Sequence, residues 1–320
     1  MMLDNNWYGH RRILAEYCNI KDNPSFSSIQ HGWSPYYNLG NFGKKKNNFF
    51  PYLCWSKKVE LNCRKKGMSN IYAIGSPFLY LCKILNKKIE KIKSEGTILF
   101  PPHSTPILSD NTTDHLKLIK KVESECSPPY TVCFYYSDFI HDNTYLYKKN
   151  NWRVVTCGSR GNNNMLYNLY RELNIHSTMV SCDISTVNFY AMYLKKKTKI
   201  LRQENNSAFS RRSYDNLKKI DNANFNKKKY EEMLQIQENF ENQLFLKYPS
   251  IVNNYLDQEN GFNLSKEELG FNDLKIPEDL IKLLGWSSLS KKLISKVMYK
   301  YFNYRYGSKI RTGETERFAF

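Results

Sequence analysis

The sequence predicts an α/β protein in which parallel strands alternate with helices. Short runs of β-branched and aromatic residues recur along the first two-thirds of the chain, and segments with apolar residues at helical spacing separate them. Turn residues end several of these runs, as at Gly75 and Gly158. The chain has 320 residues, of which 41% are hydrophobic, so it is long enough for two domains with their own cores.

The first part of the chain alternates between the two patterns. Predicted strands lie at Phe26–Gln30, Pro51–Ser56 and Ile71–Ile74. Predicted helices lie at 7–19, 57–66 and 78–93. In the last of these, Phe78, Leu81 and Leu85 recur at helical spacing and indicate a buried face.

The middle of the chain repeats the alternation more regularly. Predicted strands lie at Thr97–Phe100, Tyr130–Tyr136, Arg153–Cys157, Ser177–Ser181 and Thr198–Leu201. Predicted helices lie at Asp114–Cys126, Asn163–Leu173 and Ser185–Leu194. Strands and helices of these lengths form βαβ units and hence a parallel sheet.

The last part of the chain is predicted to be helical. Residues 203–230 are polar and indicate a linker, Lys227–Lys247 a polar helix, and 265–305 further helices, one of them beginning at Pro277. We therefore divide the chain into a first α/β domain at 1–92, a second at 93–205, and a linker with a C-terminal helical region at 206–320.

The composition limits the classes of function. The formal net charge is +18, which favours polyanionic partners such as phosphorylated molecules, anionic membranes or nucleic acid. The eight cysteines include no C-x-x-C pair, so we expect reduced core residues and no zinc site. No leader or membrane-spanning pattern is seen. We expect a cytoplasmic protein, attached peripherally to the inner face of the cell membrane.

Polar loops that follow predicted strands supply the candidate catalytic residues. His31 in Gln30-His31-Gly32 is a candidate proton acceptor, because its ordinary pKa suits proton transfer near neutrality. His103, after a Pro-Pro turn, is a candidate acid or phosphate contact, and Asp138 is a candidate base. The alternatives are loop histidines bonded to backbone and a solvated aspartate.

Further strand ends supply candidate nucleotide-binding residues. Asp183, Ser185 and Thr186 open a helix, whose free N–H groups can bind phosphate or simply be capped. The remaining candidates follow other strands and are Gly75, Ser76, His103, Ser104, Thr105, Gly158, Ser159 and Arg160. Each could equally belong to a plain turn. No P-loop, G-x-G-x-x-G or Asp-x-Asp motif occurs, so we expect neither a metal nor a further cofactor.

Taken together, the loops Gln30-His31-Gly32, Pro102-His103 and Asp183-Ile184-Ser185-Thr186 resemble motifs of GT-B-type glycosyltransferases of the bacterial cell surface. The resemblance is closest to CDP-glycerol glycerophosphotransferases and bacterial sialyltransferases, although the second loop reads His-Ser where sialyltransferases have His-Pro. It covers residues 25–205. It implies two Rossmann-like domains that face a cleft, with C-terminal helices in addition.

The resemblance also implies an activity in polysaccharide biosynthesis, as in capsule and lipopolysaccharide enzymes. A sugar or polyol phosphate would pass from a nucleotide-activated donor, linked to CMP or CDP, to a glycan or lipid-linked acceptor hydroxyl. Transfer would be inverting and independent of metal, with His31 as base, His103 on the phosphate, and Ser185 and Thr186 cradling it. The alternatives are a non-catalytic nucleic-acid-binding protein and a sugar-nucleotide epimerase, although we expect no specific nucleic acid partner.

Overall fold

The computed structural model describes residues 7–34, 50–86, 93–102, 113–139, 143–201 and 258–294, with single helical positions in 235–246 and at 296, 297 and 300. The chain forms two compact units, which we describe separately. Unit 1 consists of Met1–Lys91, Arg160–Tyr167 and Leu264–Phe320, and unit 2 consists of Ile92–Ser159 and Asn168–Asn263. In this division, 160–167 and the described part of 264–300 group with the N-terminal part of the chain.

Unit 1 contains a parallel sheet of three short strands in the order β1-β2-β3. The strands are β1 (Ser28–Ile29), β2 (Tyr52–Cys54) and β3 (Ile71–Ala73). Ile29 pairs with Leu53, and Leu53 with Tyr72, so that the three strands end at one common edge. Parallel strands of this kind are buried between helices, and every residue of β2 is buried here.

Among the described residues, a 3₁₀ turn at Trp7–Gly9 and four of the helices of unit 1 surround or follow this sheet. They are α1 (His10–Tyr17), α2 (Lys57–Lys65), α3 (Pro77–Leu85) and, near the C-terminal end of the described chain, α10 (Pro277–Leu283). The apolar helix α3 is buried on nearly all sides, with Phe78, Leu79 and Leu81 fully inaccessible, because it packs on α1. The helix α9 (Gln258–Glu268) has residues in both units.

Unit 2 contains a parallel sheet of five strands in the order β6-β5-β4-β7-β8. Its strands are β4 (Thr97–Phe100), β5 (Tyr130–Phe134), β6 (Arg153–Thr156), β7 (Thr178–Ser181) and β8 (Lys197–Ile200). Numbered within the unit, the order is 3-2-1-4-5, which is the order of a doubly wound sheet. The predicted α/β class with parallel strands is therefore confirmed.

The helices of unit 2 follow its strands. They are α4 (His115–Glu125), α5 (Tyr136–Phe139), α6 (Asn143–Lys149), α7 (Met165–Ile175), whose first residues belong to unit 1, and α8 (Thr186–Tyr193). One core cluster joins α4 to the sheet through Leu118, Val122, Val132 and Val180, with Tyr147 and Trp152 closing it. None of the helices among the described residues is long and apolar enough to cross a bilayer.

The predicted strand Tyr130–Tyr136 is too long. Its pairing with β6 stops where Phe134 meets Thr156, and the N–H groups of Asp138 and Phe139 donate to the Tyr135 carbonyl in the first turn of α5. The aromatic run favours a strand by composition, but without a neighbouring strand to pair with, its backbone groups are satisfied by a helical turn. The predicted long helix at Lys227–Lys247 lies almost wholly outside the described residues.

A buried carboxylate joins α2 to β3. Glu60 accepts hydrogen bonds from the Ala73 N–H at 2.9 Å, from Lys57 Nζ at 2.8 Å and from Arg64 Nε at 2.9 Å. Burial alone would raise the pKa of Glu60, but these hydrogen bonds outweigh it and lower the pKa. The ionised carboxylate therefore holds the helix against the sheet.

We expect Glu60→Ala to lower the free energy of unfolding by about 1–3 kcal/mol, because the buried Ala73 N–H loses its partner. Glu267→Ala is the matched control, since Glu267 is 55% exposed and its ion pair with Lys58 should contribute less than about 1 kcal/mol. Denaturation by urea, followed by tryptophan fluorescence, measures both. Equal midpoints for the two variants would contradict the structural role of Glu60.

Candidate functional site

The carboxyl ends of the three strands in unit 1 converge on Trp55, which is completely buried. Its backbone N–H donates to Gln30 Oε1 and its indole N–H to the Gln30 carbonyl, each at 3.0 Å. Its own carbonyl accepts from the Gly75 N–H at 2.9 Å. The loops after β1, β2 and β3 are thus held together by one residue.

Gln30 has a structural task at this junction. Besides its contacts with Trp55, its side-chain Nε2 donates to the Gly32 carbonyl at 2.7 Å, and the residue is buried. These bonds use both ends of the amide and fix the loop on either side of His31. Within Gln30-His31-Gly32, only the histidine therefore remains available for chemistry.

His31 keeps an exposed surface at this edge of the sheet. Its ring meets the Trp7 indole edge-on, with 5.4 Å between the ring centroids. The Arg160 guanidinium lies over the Trp7 ring, 4.9 Å from its centroid. Although the side chain keeps an exposed surface, the protein packed around the ring displaces water, and with the positive charge of Arg160 this lowers the pKa of His31 to about 4. At neutral pH the imidazole is uncharged and has a free proton-accepting form, but its lowered pKa makes it a weaker base than an ordinary histidine.

A second histidine is buried next to the first. His10 is 1% exposed, and its Nε2 has no hydrogen-bond partner within the described part of the chain. Burial, and the proximity of His31, lower its pKa to about 3. His10 is therefore neutral at every physiological pH, and its ring packs near Trp55, with 6.3 Å between centroids.

Close backbone contact places Arg160 beside Trp7. The Tyr8 N–H donates to the Arg160 carbonyl at 2.6 Å. Gly9 has a φ of +80°, and a Cβ there would come within 2.2 Å of the Asn163 carbonyl oxygen. Only glycine allows this approach, and Arg12 extends the same contact through its hydrogen bond to Asn164. Arg160, predicted as a nucleotide ligand, thus belongs to the surroundings of His31.

The loop beyond His31 is anchored by a buried carboxylate. The Trp33 indole N–H donates to Glu268 Oε2 at 2.7 Å, and Lys58 Nζ lies 3.5 Å from the other carboxylate oxygen. Glu268 is buried, so the charge of Lys58 compensates for its removal from water. This arrangement fixes Trp33 and hence the end of the loop that carries His31.

The loop after β3 is covered and does not present its predicted ligands. Ser76 is completely buried, its hydroxyl accepts from the Phe78 N–H at 3.3 Å at the start of α3, and its own N–H donates to the Leu269 carbonyl. Leu274 lies over Gly75, since a Cβ there would come within 2.6 Å of its Cδ2. Gly75 and Ser76 form a turn and a helix cap, and we leave them out of the proposed site.

In unit 2, the central strand β4 and its neighbour β7 end side by side. Phe100 and Ser181, the last residues of these strands, are register partners. From β4 the chain continues to β5 and β6 on one side of the sheet, whereas β7 and β8 lie on the other side. The strand order therefore reverses between β4 and β7. Ligands of doubly wound sheets bind outside the carboxyl ends of the strands at this point.

A buried asparagine connects β7 to the start of α8 at this edge of the sheet. Asn188 Nδ2 donates to Ser181 Oγ at 2.7 Å, while its Oδ1 accepts from both the N–H and the hydroxyl of Ser185, at 2.8 and 3.0 Å. Asp183, Ser185 and Thr186 are half-buried here. The helix that the sequence predicts to begin at Ser185 therefore starts beside the ends of β4 and β7, and Asn188 fixes its first turn.

The remaining predicted residues are more dispersed. Asp138 is buried in α5, whereas the sequence left open a solvated loop. Gly158 and Ser159 follow β6, and the Gly158 N–H donates to Thr156 Oγ1 at 3.2 Å. His103, Ser104 and Thr105 lie outside the described residues.

An ionic cluster lies at the opposite, amino edge of the five-stranded sheet. Arg153, at the start of β6, pairs with Glu172. His176 Nδ1 donates to the Glu172 carbonyl at 2.6 Å, and its Nε2 lies 2.8 Å from Thr131 Oγ1. Burial, aided by Arg153, lowers the pKa of His176. Because ligands bind at the carboxyl edge of such sheets, we assign this cluster to structure.

No protein-family model matches the chain, and no curated protein matches it. Among the described residues, no group of three or more His, Cys, Asp and Glu side chains could hold a metal ion.

Sequence reasoning missed Trp7, His10, Asn188 and Glu268. His10 and Trp7 lie on a predicted amphipathic segment, where they resemble ordinary surface residues. Asn188 sits three residues after Ser185, the spacing of a helix-start box, and that spacing could have indicated it. Nothing in the sequence indicates the pairing of Glu268 with Trp33.

We expect stability to fall as the pH is lowered from about 6.5 towards 4, because the unfolded chain then binds protons on His10 that the folded chain excludes. One such group contributes a slope of up to about 1.4 kcal/mol for each pH unit. His10→Gln should reduce this slope in urea unfolding measured at several pH values, and the comparison at pH 7 serves as its control. An unchanged slope would contradict the buried, neutral state of His10.

Proposed function

We propose that the protein is a glycosyltransferase of the GT-B type that uses a nucleotide-activated donor. The observation that carries the proposal is the register of β4 and β7 in unit 2, where Phe100 pairs with Ser181 at the point of strand-order reversal. A fold of this kind serves many activities, so the proposal depends on the side chains at its edge and on those of unit 1.

The start of α8 is the proposed phosphate site. Thr186 is its first residue, and the N–H groups of a first helical turn, with the positive end of the helix dipole, favour a negatively charged group. Asn188 holds Ser185 in extended conformation at this turn. Donor groups fixed in advance stabilise a leaving phosphate without reorganisation.

His31 is the proposed base. In the proposed step the neutral imidazole accepts the proton of an acceptor hydroxyl while the oxygen forms a bond to the sugar carbon. The bond from that carbon to the nucleotide phosphate breaks, and the phosphate leaves with the electron pair. This displacement inverts the configuration at carbon. CMP- and CDP-linked donors are the first choice, because the motif resemblance favours them.

We expect the double variant Ser185→Ala, Thr186→Ala to weaken nucleotide binding by about 1–3 kcal/mol, since the Thr186 hydroxyl can no longer bond the charged phosphate and the Ser185 hydroxyl no longer holds Asn188 at the first turn of α8. Isothermal titration of the wild type with CMP, CDP, UDP and GDP first identifies the preferred nucleotide. The affinity of the double variant for that nucleotide is then measured in the same way. Ser124→Ala, an exposed hydroxyl on α4, is the matched control. Unchanged affinity in a folded double variant would exclude α8 as the phosphate site.

We expect His31→Ala to lower turnover about 100- to 10,000-fold, the usual effect of removing a general base, with little change in nucleotide affinity. Because the pKa of His31 is about 4, the acidic limb of the rate profile should lie well below pH 6. Arg160→Gln removes one cause of the lowered pKa, so it should move that limb to higher pH. Wild-type turnover in His31→Ala would show that the base lies elsewhere.

A further inference from the structure

Beyond α10 the described chain continues as a helix with an exposed apolar face. Positions 289–294, 296, 297 and 300 are helical, and we call them the basic helix. Leu289, Leu293 and Val297 recur at every fourth position and are 74%, 56% and 66% exposed. Ile294 is 43% exposed. At 3.6 residues per turn these four side chains fall within an arc of about 140°.

The same helix is strongly cationic. Lys291, Lys292, Lys296 and Lys300 alternate with the apolar residues, and no acidic residue occurs between Asp279 and Glu314. Counted around the helix, Lys292 and Lys296 border the apolar arc on one side, and Lys300 falls within the arc between Leu289 and Leu293. Long lysine side chains at the edge of an apolar face can extend to a charged surface while their stems remain among apolar groups.

The beginning of the basic helix is firmly attached to unit 1. Trp286 is buried, and its indole N–H donates to the Asn23 carbonyl at 3.1 Å. The Phe26 N–H donates to the Leu284 carbonyl at 2.8 Å, and Lys291 Nζ lies 5.4 Å from the centroid of the Phe26 ring. These contacts hold the start of the basic helix in place, so its exposed face has a defined position on unit 1.

We propose that the basic helix binds an anionic membrane surface, with its apolar face inserted among the acyl chains and its lysines at the lipid headgroups. Two features together support this partner. An apolar stripe of this exposure needs an apolar environment, which a nucleic acid backbone does not offer, and the bordering lysines need negative charge. Leu61 of α2 and Leu116 of α4, which are also strongly exposed, stand singly on their helices and lack this combination.

This proposal does not rest on the transferase activity. Membrane binding and nucleotide binding are measured separately, so that failure of one leaves the other intact. A membrane-bound chain would lie close to lipid-linked acceptors, so membrane binding favours a lipid-linked acceptor over a soluble one.

The test is sedimentation of the full chain with vesicles of phosphatidylcholine alone and of phosphatidylcholine with about 30% phosphatidylglycerol. We expect binding to the anionic vesicles that weakens as the salt concentration is raised from about 0.1 to about 0.5 M. The triple variant Leu289→Ser, Leu293→Ser, Val297→Ser should bind about tenfold or more weakly, because the inserted apolar area is lost. The triple variant Lys292→Gln, Lys296→Gln, Lys300→Gln should bind about 100-fold more weakly.

Two matched controls separate the basic helix from the charge of the whole chain. Lys117→Gln, Lys120→Gln, Lys121→Gln on α4 removes the same charge, and Leu61→Ser with Leu116→Ser removes exposed apolar side chains elsewhere. Both should bind like the wild type. The proposal is overturned if the wild type ignores anionic vesicles, if the serine variant binds normally, or if the α4 lysine variant loses as much binding as the helix variant.

Discussion

The burial of Trp55 is the constraint on which unit 1 depends. Its indole and backbone N–H groups, inaccessible to water, require acceptors, and Gln30 supplies both of them. Its carbonyl in turn receives the Gly75 N–H. Gly270, with a φ of +70°, approaches so closely that a Cβ would lie 1.9 Å from the same carbonyl oxygen, so this position requires glycine. Strand ends distant in sequence therefore converge on one side chain.

This convergence determines which side chains remain available at the edge. The C-terminal segment around Leu269 and Leu274 covers the loop after β3, and Ser76 is consumed as a helix cap. The loop after β1 retains an accessible side chain, His31, whose neutral state follows from its surroundings and from Arg160. Because Gln30 and Ser76 are engaged in structural hydrogen bonds at these strand ends, His31 remains as the candidate base.

The two edges of the sheet in unit 2 differ, since the amino edge carries an ionic cluster and the carboxyl edge carries the proposed phosphate site. At the amino edge Arg153, Glu172 and His176 satisfy one another and tie α7 to the strands. At the carboxyl edge Asn188 fixes the first turn of α8 beside the ends of β4 and β7. The separation has a physical origin, since in a parallel sheet all strands end together and the helix N-termini that can hold an anion begin at that same edge.

By itself the sequence determined the α/β class, the parallel strands and most helices, because hydrophobic period and turn residues are local signals. It also indicated His31 and the start of α8, since polar residues after apolar strands are visible along the chain. Tertiary structure alone decided that Arg160 lies beside Trp7, that His10 is buried near His31, that Ser76 is covered and that Glu268 holds Trp33. These are contacts between residues far apart in sequence, and they depend on burial and on unpaired backbone groups, which no local pattern of residues records.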